Sequence, residues 1–269
     1  MIDFHTHLTE SGVWHFKQVR ADISTLCADL DSARAESAIL LPIAGMDREA
    51  WALETAARSG GRLVTFLPVD PLIETPSQRL CRINALRAPG LKLHPRLQQL
   101  TLDDPRVLSF FRDLGQSYAG VLLVDCFLSD SDPERRIQEV EVFVEQVRGM
   151  RIVLAHCGGF RFQRIVPLVN EYQHVFVDTS MTLHVFRRHG KADLTRALAS
   201  LLTELPSTRI LFGSDFPECR VPDAVKLTED VLAAGGFSDM SLRNVFHENA
   251  ERLLQEGFDA SARRPVAHR

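Results

Sequence analysis

Arg151-Ile152-Val153-Leu154-Ala155-His156-Cys157-Gly158-Gly159 is an apolar, β-branched run that stops at a histidine and turns over a glycine pair. A run this short, bounded by turn residues, reads as a buried strand. Comparable runs recur at Ile2–His7, Ser37–Ile43, Arg62–Val69, Gly90–His94, Gly120–Phe127, His174–Thr179 and Thr208–Ser214, each followed by a stretch of helical period. Strands alternating with helices imply parallel strands joined by crossover helices. Together with Arg151–His156 they number about eight, which closes a parallel barrel. The expected fold class is therefore α/β, a (β/α)8 TIM barrel. An open doubly wound sheet competes, but it would gather polar residues at one switch point, whereas here they recur at the C-terminal ends of several strands.

The intervening segments carry helix signals. Asp132-Pro133-Glu134 opens a run in which Ile137, Val140, Val144 and Val147 share one face. Gly60-Gly61 and Gly235-Gly236 follow helices, and Pro89-Gly90 precedes a strand. No linker interrupts the pattern, so residues 1–259 are expected to form a single barrel domain. Residues 260–269 lose periodicity and gather Arg263, Arg264 and Arg269, as a frayed tail would.

The chain has 269 residues, 45% hydrophobic and 25% charged, the balance of an ordinary globular protein. A net charge of −4 without a basic stripe disfavours nucleic acid as a partner. No segment is apolar enough to span a bilayer, so no membrane partner is expected. Cys27, Cys81, Cys126, Cys157 and Cys219 are odd in number and lack CxxC spacing, and they read as reduced thiols. Met1-Ile2-Asp3-Phe4-His5 contains no secretory leader, which makes the cytoplasm the expected compartment. Homo-oligomerisation is left open by the sequence.

Four strand ends carry the candidate chemistry. His5 and His7 lie two apart on the first strand, so they share a face with Cα atoms roughly 7 Å apart, close enough to converge on one divalent ion. Alone, an HxH pair is a short pattern that polar surface residues produce as often. His156 ends the sixth strand; a core histidine bonded to backbone is the bland reading, against which the two following glycines suggest close backbone approach to something. Asp215 follows the buried run Ile210-Leu211-Phe212, where a carboxylate needs a partner, a helix to cap or a metal. Pro217 and Pro222 place it poorly as a cap. Lys92 and His94 alternate on the fourth strand and, with Arg96, could grip a substrate anion. Cys157, beside His156, has no accompanying thiol-catalysis motif and reads as structural. Trp14, His15 and Phe16 either cover the pocket or simply pack a loop, and His184, Arg187, Arg188 and His189 read as a solvated loop.

In order along the chain, His5-Thr6-His7, Gly90-Leu91-Lys92-Leu93-His94-Pro95, Leu154-Ala155-His156-Cys157-Gly158-Gly159, Val177-Asp178-Thr179-Ser180, Phe212-Gly213-Ser214-Asp215-Phe216-Pro217 and Glu248-Asn249-Ala250-Glu251-Arg252-Leu253-Leu254 resemble the amidohydrolase superfamily, in the branch that includes aminocarboxymuconate semialdehyde decarboxylase. The resemblance implies a barrel with one divalent metal, commonly zinc, held by the HxH pair, a histidine on the fifth strand and the strand-eight aspartate. It also implies a strand-six histidine acting beside the activated water. This chain departs at the fifth strand, where Asp125 stands in place of histidine. An oxygen ligand suits manganese or iron as well as zinc, and some superfamily members hydrolyse lactones without metal.

The expected activity is hydrolysis of an amide, lactone or ester in a small, carboxylate-bearing substrate. His5, His7, Asp125 and Asp215 are the expected metal ligands, His156 and Asp215 the catalytic pair, and Lys92, His94 and Arg96 the substrate-binding set. Non-oxidative decarboxylation in the same site is the rival chemistry. A catalytically degenerate, ligand-binding barrel is the rival from another class.

Overall fold

The computed structural model describes residues 1–128 and 134–262. The apolar runs form β1 (Ile2–Thr6), β2 (Ser37–Leu40), β3 (Leu63–Thr65 and, past a break at Phe66, Leu67–Pro68), β4 (Gly90–Leu93), β5 (Val121–Val124), β6 (Arg151–Leu154), β7 (Val175–Asp178) and β8 (Ile210–Leu211). Successive strands pair in parallel, with β1 beside β2, β2 beside β3, and so on to β8. The last returns to the first: Phe4 N–H donates to Phe212 O at 2.9 Å, Asp215 N–H to His5 O at 2.8 Å and His7 N–H to Phe216 O at 2.7 Å. The ring is closed, and the fold is the (β/α)8 barrel that the sequence pattern implies.

Closure sorts side chains by parity. Phe4, Ile39, Phe66, Leu123, Val153 and Phe176 point inward and fill the barrel. Leu122, Val124, Ile152, Leu154 and Val177 point outward to the helices. Strands buried on both faces explain why the runs are continuously apolar rather than alternating. Ala250, Leu253 and Leu254, on the helix Asn249–Ala262, join the inner cluster and close it from below. Each such side chain removed from water contributes about 1.5–3 kcal/mol before conformational entropy is counted.

Two expectations shift. The helix Asn249–Ala262 buries Ala260 and Ser261, so order continues past 259; residues 263–269 lie outside the described residues. The helix Glu134–Gln146 buries Ile137, Val140 and Val144 as anticipated, while its expected opening at Asp132 and Pro133 lies outside the described residues. The strand ladders also end earlier than the apolar runs, at Leu154 in β6 and Leu211 in β8. The polar residues beyond them leave the ladder and turn over the barrel mouth. Among the described residues no helix is long and apolar enough to cross a membrane.

Candidate metal centre

Simple alternation from inward-facing Phe4 would turn His5 outward. The register between β1 and β2 prevents this: Asp3 opposes Ala38 but Thr6 opposes Leu40, so β1 spends one extra residue over that interval. A bulge of this kind flips the parity of everything after it. His5 and His7 are thereby both turned to the barrel mouth, and Thr6 Oγ1 donates to Ile39 O at 2.8 Å. Asp3 Oδ1 accepts from His5 N at 3.1 Å and from Ser214 N at 2.9 Å, tying the bulge to the chain leaving β8.

The neighbours of these imidazoles set their tautomers. His7 Nδ1 lies 2.8 Å from Leu41 O, which can only accept, so Nδ1 carries a proton and Nε2 is the nitrogen turned to the mouth. His5 Nδ1 lies 2.9 Å from Asp178 Oδ2. Burial works against the charge of Asp178, but His5, His156 and Ser180 around it lower its pKa to about 2, so it accepts as a carboxylate. Burial and the Lys92 charge hold the His5 pKa down to about 4, leaving a neutral ring with its proton on Nδ1. The two Nε2 atoms face one another at 3.2 Å, with Asp215 Oδ1 at 3.4 Å from that of His5 and 3.5 Å from that of His7. Two ring nitrogens and a carboxylate oxygen converge on one point. Ligand separations of roughly 3.3 Å are what two nitrogens about 2.0–2.1 Å from one tetrahedral ion would show, so the residues fit a divalent cation.

His156 enters differently. Alternation would send it outward after inward Val153 and Ala155, but its backbone is left-handed, at φ 62°, as is that of Cys157, at φ 47°. This turn swings the ring back over the mouth, where one ring nitrogen comes within 4.8 Å of ligand atoms on His5 and Asp215. Both its nitrogens face acceptors. Nε2 lies 3.1 Å from Asp125 Oδ2, and Nδ1 lies 2.8 Å from Ser180 Oγ, whose own proton goes to Asp178 Oδ1. Although burial alone would depress it, the Asp125 hydrogen bond and the charges of Asp215, Asp125 and Asp178 raise the His156 pKa. The shift favours the charged ring, in which Nε2 would donate to Asp125 and Nδ1 to Ser180.

Asp125 continues the inward series of Val121 and Leu123, and Cys126 falls on the outer face as its parity implies. The Asp125 carboxylate is drawn to His156 and, at 3.4 Å, to His94 Nε2. Burial opposes its charge, yet His94, His156 and Lys92 hold it well below the ordinary carboxylate range. Asp215 is also held low, burial being outweighed by His7, His156 and His5. Lys92 is 1% exposed, with no hydrogen-bond partner for Nζ, and it lies inside the barrel beneath the carboxylates of Asp125, Asp178 and Asp215. His94 and exposed Arg96 instead line the open cleft of ≈ 70 Å³ above His7, Asp125, His156 and Asp215.

Trp14 walls that cleft. Its ring stacks on His7 at 5.2 Å between centroids, and its Nε1–H donates to Glu218 Oε1 at 2.7 Å. Glu218 also holds Lys17. Phe16 lines the cleft while remaining half exposed, so the segment after β1 covers the site. His184, Arg187 and Arg188 fall on the helix Thr182–Arg188, not on a loop.

Asp178 and Ser180 were quoted from the sequence without a role, and the structure makes them the residues that orient His5 and His156. Their signal was a carboxylate one strand away with the parity of the mouth. The glycines after His156 give clearance to neighbouring chain: a Cβ on Gly158 would lie 2.3 Å from Ile165 Cγ1, and one on Gly159 would lie 2.9 Å from Leu128 O. Cys157 Sγ donates to Asp178 O at 2.9 Å and is structural. Gly213 supplies clearance for the site, since a Cβ there would come 2.8 Å from His5 Cβ and 3.1 Å from Ser180 Cβ. Gly213→Ala is therefore expected to displace His5 and weaken metal affinity by roughly 10–100-fold, as loss of ligand support does. Metal titration together with far-UV circular dichroism checks this; unchanged affinity in a folded variant would count against it.

Comparison with known proteins gives a consistent picture. The family described as Amidohydrolase matches residues 2–255. No curated protein matches the chain. Among solved structures, a probable 2-pyrone-4,6-dicarboxylic acid hydrolase from Acinetobacter baumannii with citric acid bound superposes with a TM-score of 0.70 at 16% identity, covering 94% of this chain and 98% of that one. An amidohydrolase from Burkholderia multivorans with bound zinc gives 0.72 at 17% identity over 94% and 98%. 2,6-Dihydroxybenzoate decarboxylase from Rhizobium gives 0.64 at 17% identity over 94% and 98%. At these identities the likeness is one of fold.

Proposed function

Since the chain belongs to the amidohydrolase family, we propose that it is a metal-dependent hydrolase acting on an amide, ester or lactone carbonyl of a small, carboxylate-bearing substrate. The observation that carries this reading is the pair of imidazole Nε2 atoms on His5 and His7, 3.2 Å apart and closed by the Asp215 carboxylate. These three residues would hold the ion. The nitrogen-rich set favours zinc, with manganese and iron as alternatives. When bound, the metal supplies Lewis acidity toward a water and a carbonyl oxygen.

The remaining work falls to the chain. Asp215 Oδ2, the oxygen not turned to the histidines, orients the attacking water and takes the proton it releases, while His156 gives one to the leaving atom. His156 places a positive charge where the carbonyl oxygen becomes negative, and such preorganised stabilisation is commonly the largest catalytic contribution. Its Nε2 proton is available to the leaving atom. Asp125 acts in this reading as a positioning residue, keeping that proton on His156, rather than as a metal ligand. Arg96 and His94 meet the substrate carboxylate, and Trp14 limits water entry.

Asp125→Asn is expected to lower kcat on the order of 10²-fold, the lower end of what general acid catalysis contributes, with metal content unchanged. A fall in bound metal instead would return Asp125 to the ligand set. The raised proton affinity of His156 also supports a second reading, because decarboxylation needs a proton delivered to carbon. Reaction in ¹⁸O-labelled water separates the two. The hydrolase reading expects label in the product and no carbon dioxide; carbon dioxide release without label would replace it with the decarboxylase. A metal-loaded protein inert across lactones, amides and aromatic carboxylates would point to the ligand-binding barrel.

A further inference from the structure

At the opposite end of the barrel, where β6, β7 and β8 begin, four arginines converge on one cleft of ≈ 600 Å³. They are Arg148, Arg151, Arg209 and Arg252, and Glu256 is the only carboxylate lining the cleft. From the side chains that line it, we infer that this cleft is a second binding site, built for a compact polyanion carrying phosphate groups.

Each guanidinium is pinned on one side and keeps donors on another. Arg209 Nη1 donates to Tyr172 O and Val175 O, both at 3.3 Å, and its Nη2 to Gln173 Oε1 at 2.6 Å. Arg252 Nη2 donates to Thr208 O at 2.9 Å, leaving Nη1 and Nε. Arg148 is anchored through Nε to Glu145 O at 2.7 Å and lies over the Tyr172 ring at 5.3 Å. Arg151 is anchored through Nε to Glu256 at 2.9 Å. Arg209 and Arg252 both sit over Phe176, at 5.2 and 6.0 Å, so the cleft has an aromatic floor. Heads held in this way lose little further freedom on binding, which favours affinity.

The arrangement also carries an electrostatic cost that an anion would relieve. Four like charges line one cleft, and Glu256 is the one carboxylate among its described lining residues. Burial, with the charges of Arg252 and Arg151, lowers the proton affinity of Arg209, a sign that those charges act on it. Structural clamping of strand starts accounts for Arg209 and for part of Arg252. It leaves the terminal nitrogens of Arg148 and Arg151 without a task. Guanidinium forks match phosphate oxygens in pairs, and a cleft of this size takes two or three such groups.

The test is isothermal titration of the full chain with inorganic pyrophosphate, alongside Arg148→Gln, Glu256→Gln and the metal-site variant His5→Ala. One equivalent should bind, roughly tenfold more weakly in Arg148→Gln, where one charged donor set is lost. Glu256→Gln should bind about threefold more tightly by removing the opposing carboxylate. His5→Ala should bind as the parent does, which places binding away from the metal centre whatever reaction occurs there. Absence of binding, equal affinity in Arg148→Gln and the parent, or loss of binding in His5→Ala would each overturn the inference.

Discussion

A chelator is expected to lower kcat/KM by on the order of 10³-fold or more, with activity restored by zinc or manganese, since Lewis acidity contributes several kcal/mol to such transition states. The expectation rests on converging donor atoms. His5 and His7 turn Nδ1 to Asp178 and Leu41, which leaves both Nε2 atoms facing one another beside the Asp215 carboxylate. The check is a paired measurement of metal content and turnover, before and after dialysis against chelator and after adding metal back. Full activity in protein shown to be free of metal would eliminate the metal-dependent reading and favour catalysis by His156 and its neighbours alone.

The second large effect is expected at a residue that touches no substrate. Asp178→Asn keeps the size and shape of the side chain but can present an amide N–H to His5 Nδ1. The imidazole would then move its proton to Nε2 and point it at His7 and Asp215, where a cation should sit. Asp178 also accepts from His156 N at 2.9 Å and Ser180 N at 3.0 Å, so the substitution loosens the turn that swings His156 inward. Metal affinity is expected to fall by roughly 10–100-fold, and turnover with it at limiting metal. Excess zinc should recover part of the activity, which a merely misfolded protein would not show. If affinity is unchanged while stability drops, Asp178 is a structural residue only.

Much of this was legible from residues alone. Apolar runs of strand length gave the barrel because parallel strands are buried on both faces, and polar residues at their ends marked the mouth. What escaped was local backbone. Period-two alternation has no means of announcing the extra residue between Asp3 and Thr6, nor the left-handed conformation at His156, yet these decide which way three imidazoles face. The partner of Asp125 was hidden for a related reason. His156 and His94 come from neighbouring strands in space, and only closure of the ring shows that they claim its carboxylate first. The close backbone approach expected at glycines 158 and 159 is present, and its partners are Ile165 and Leu128.

The seam between β8 and β1 has one more implication. His5 O and Asp215 N are hydrogen-bonded at 2.8 Å, so two of the three residues that offer donor atoms above the mouth also clasp the hoop just below it. An ion gripping both side chains would act as a rivet across the joint between the earliest and latest staves. Loss of the rivet would be felt first as breathing along that one joint, leaving the other seven quiet.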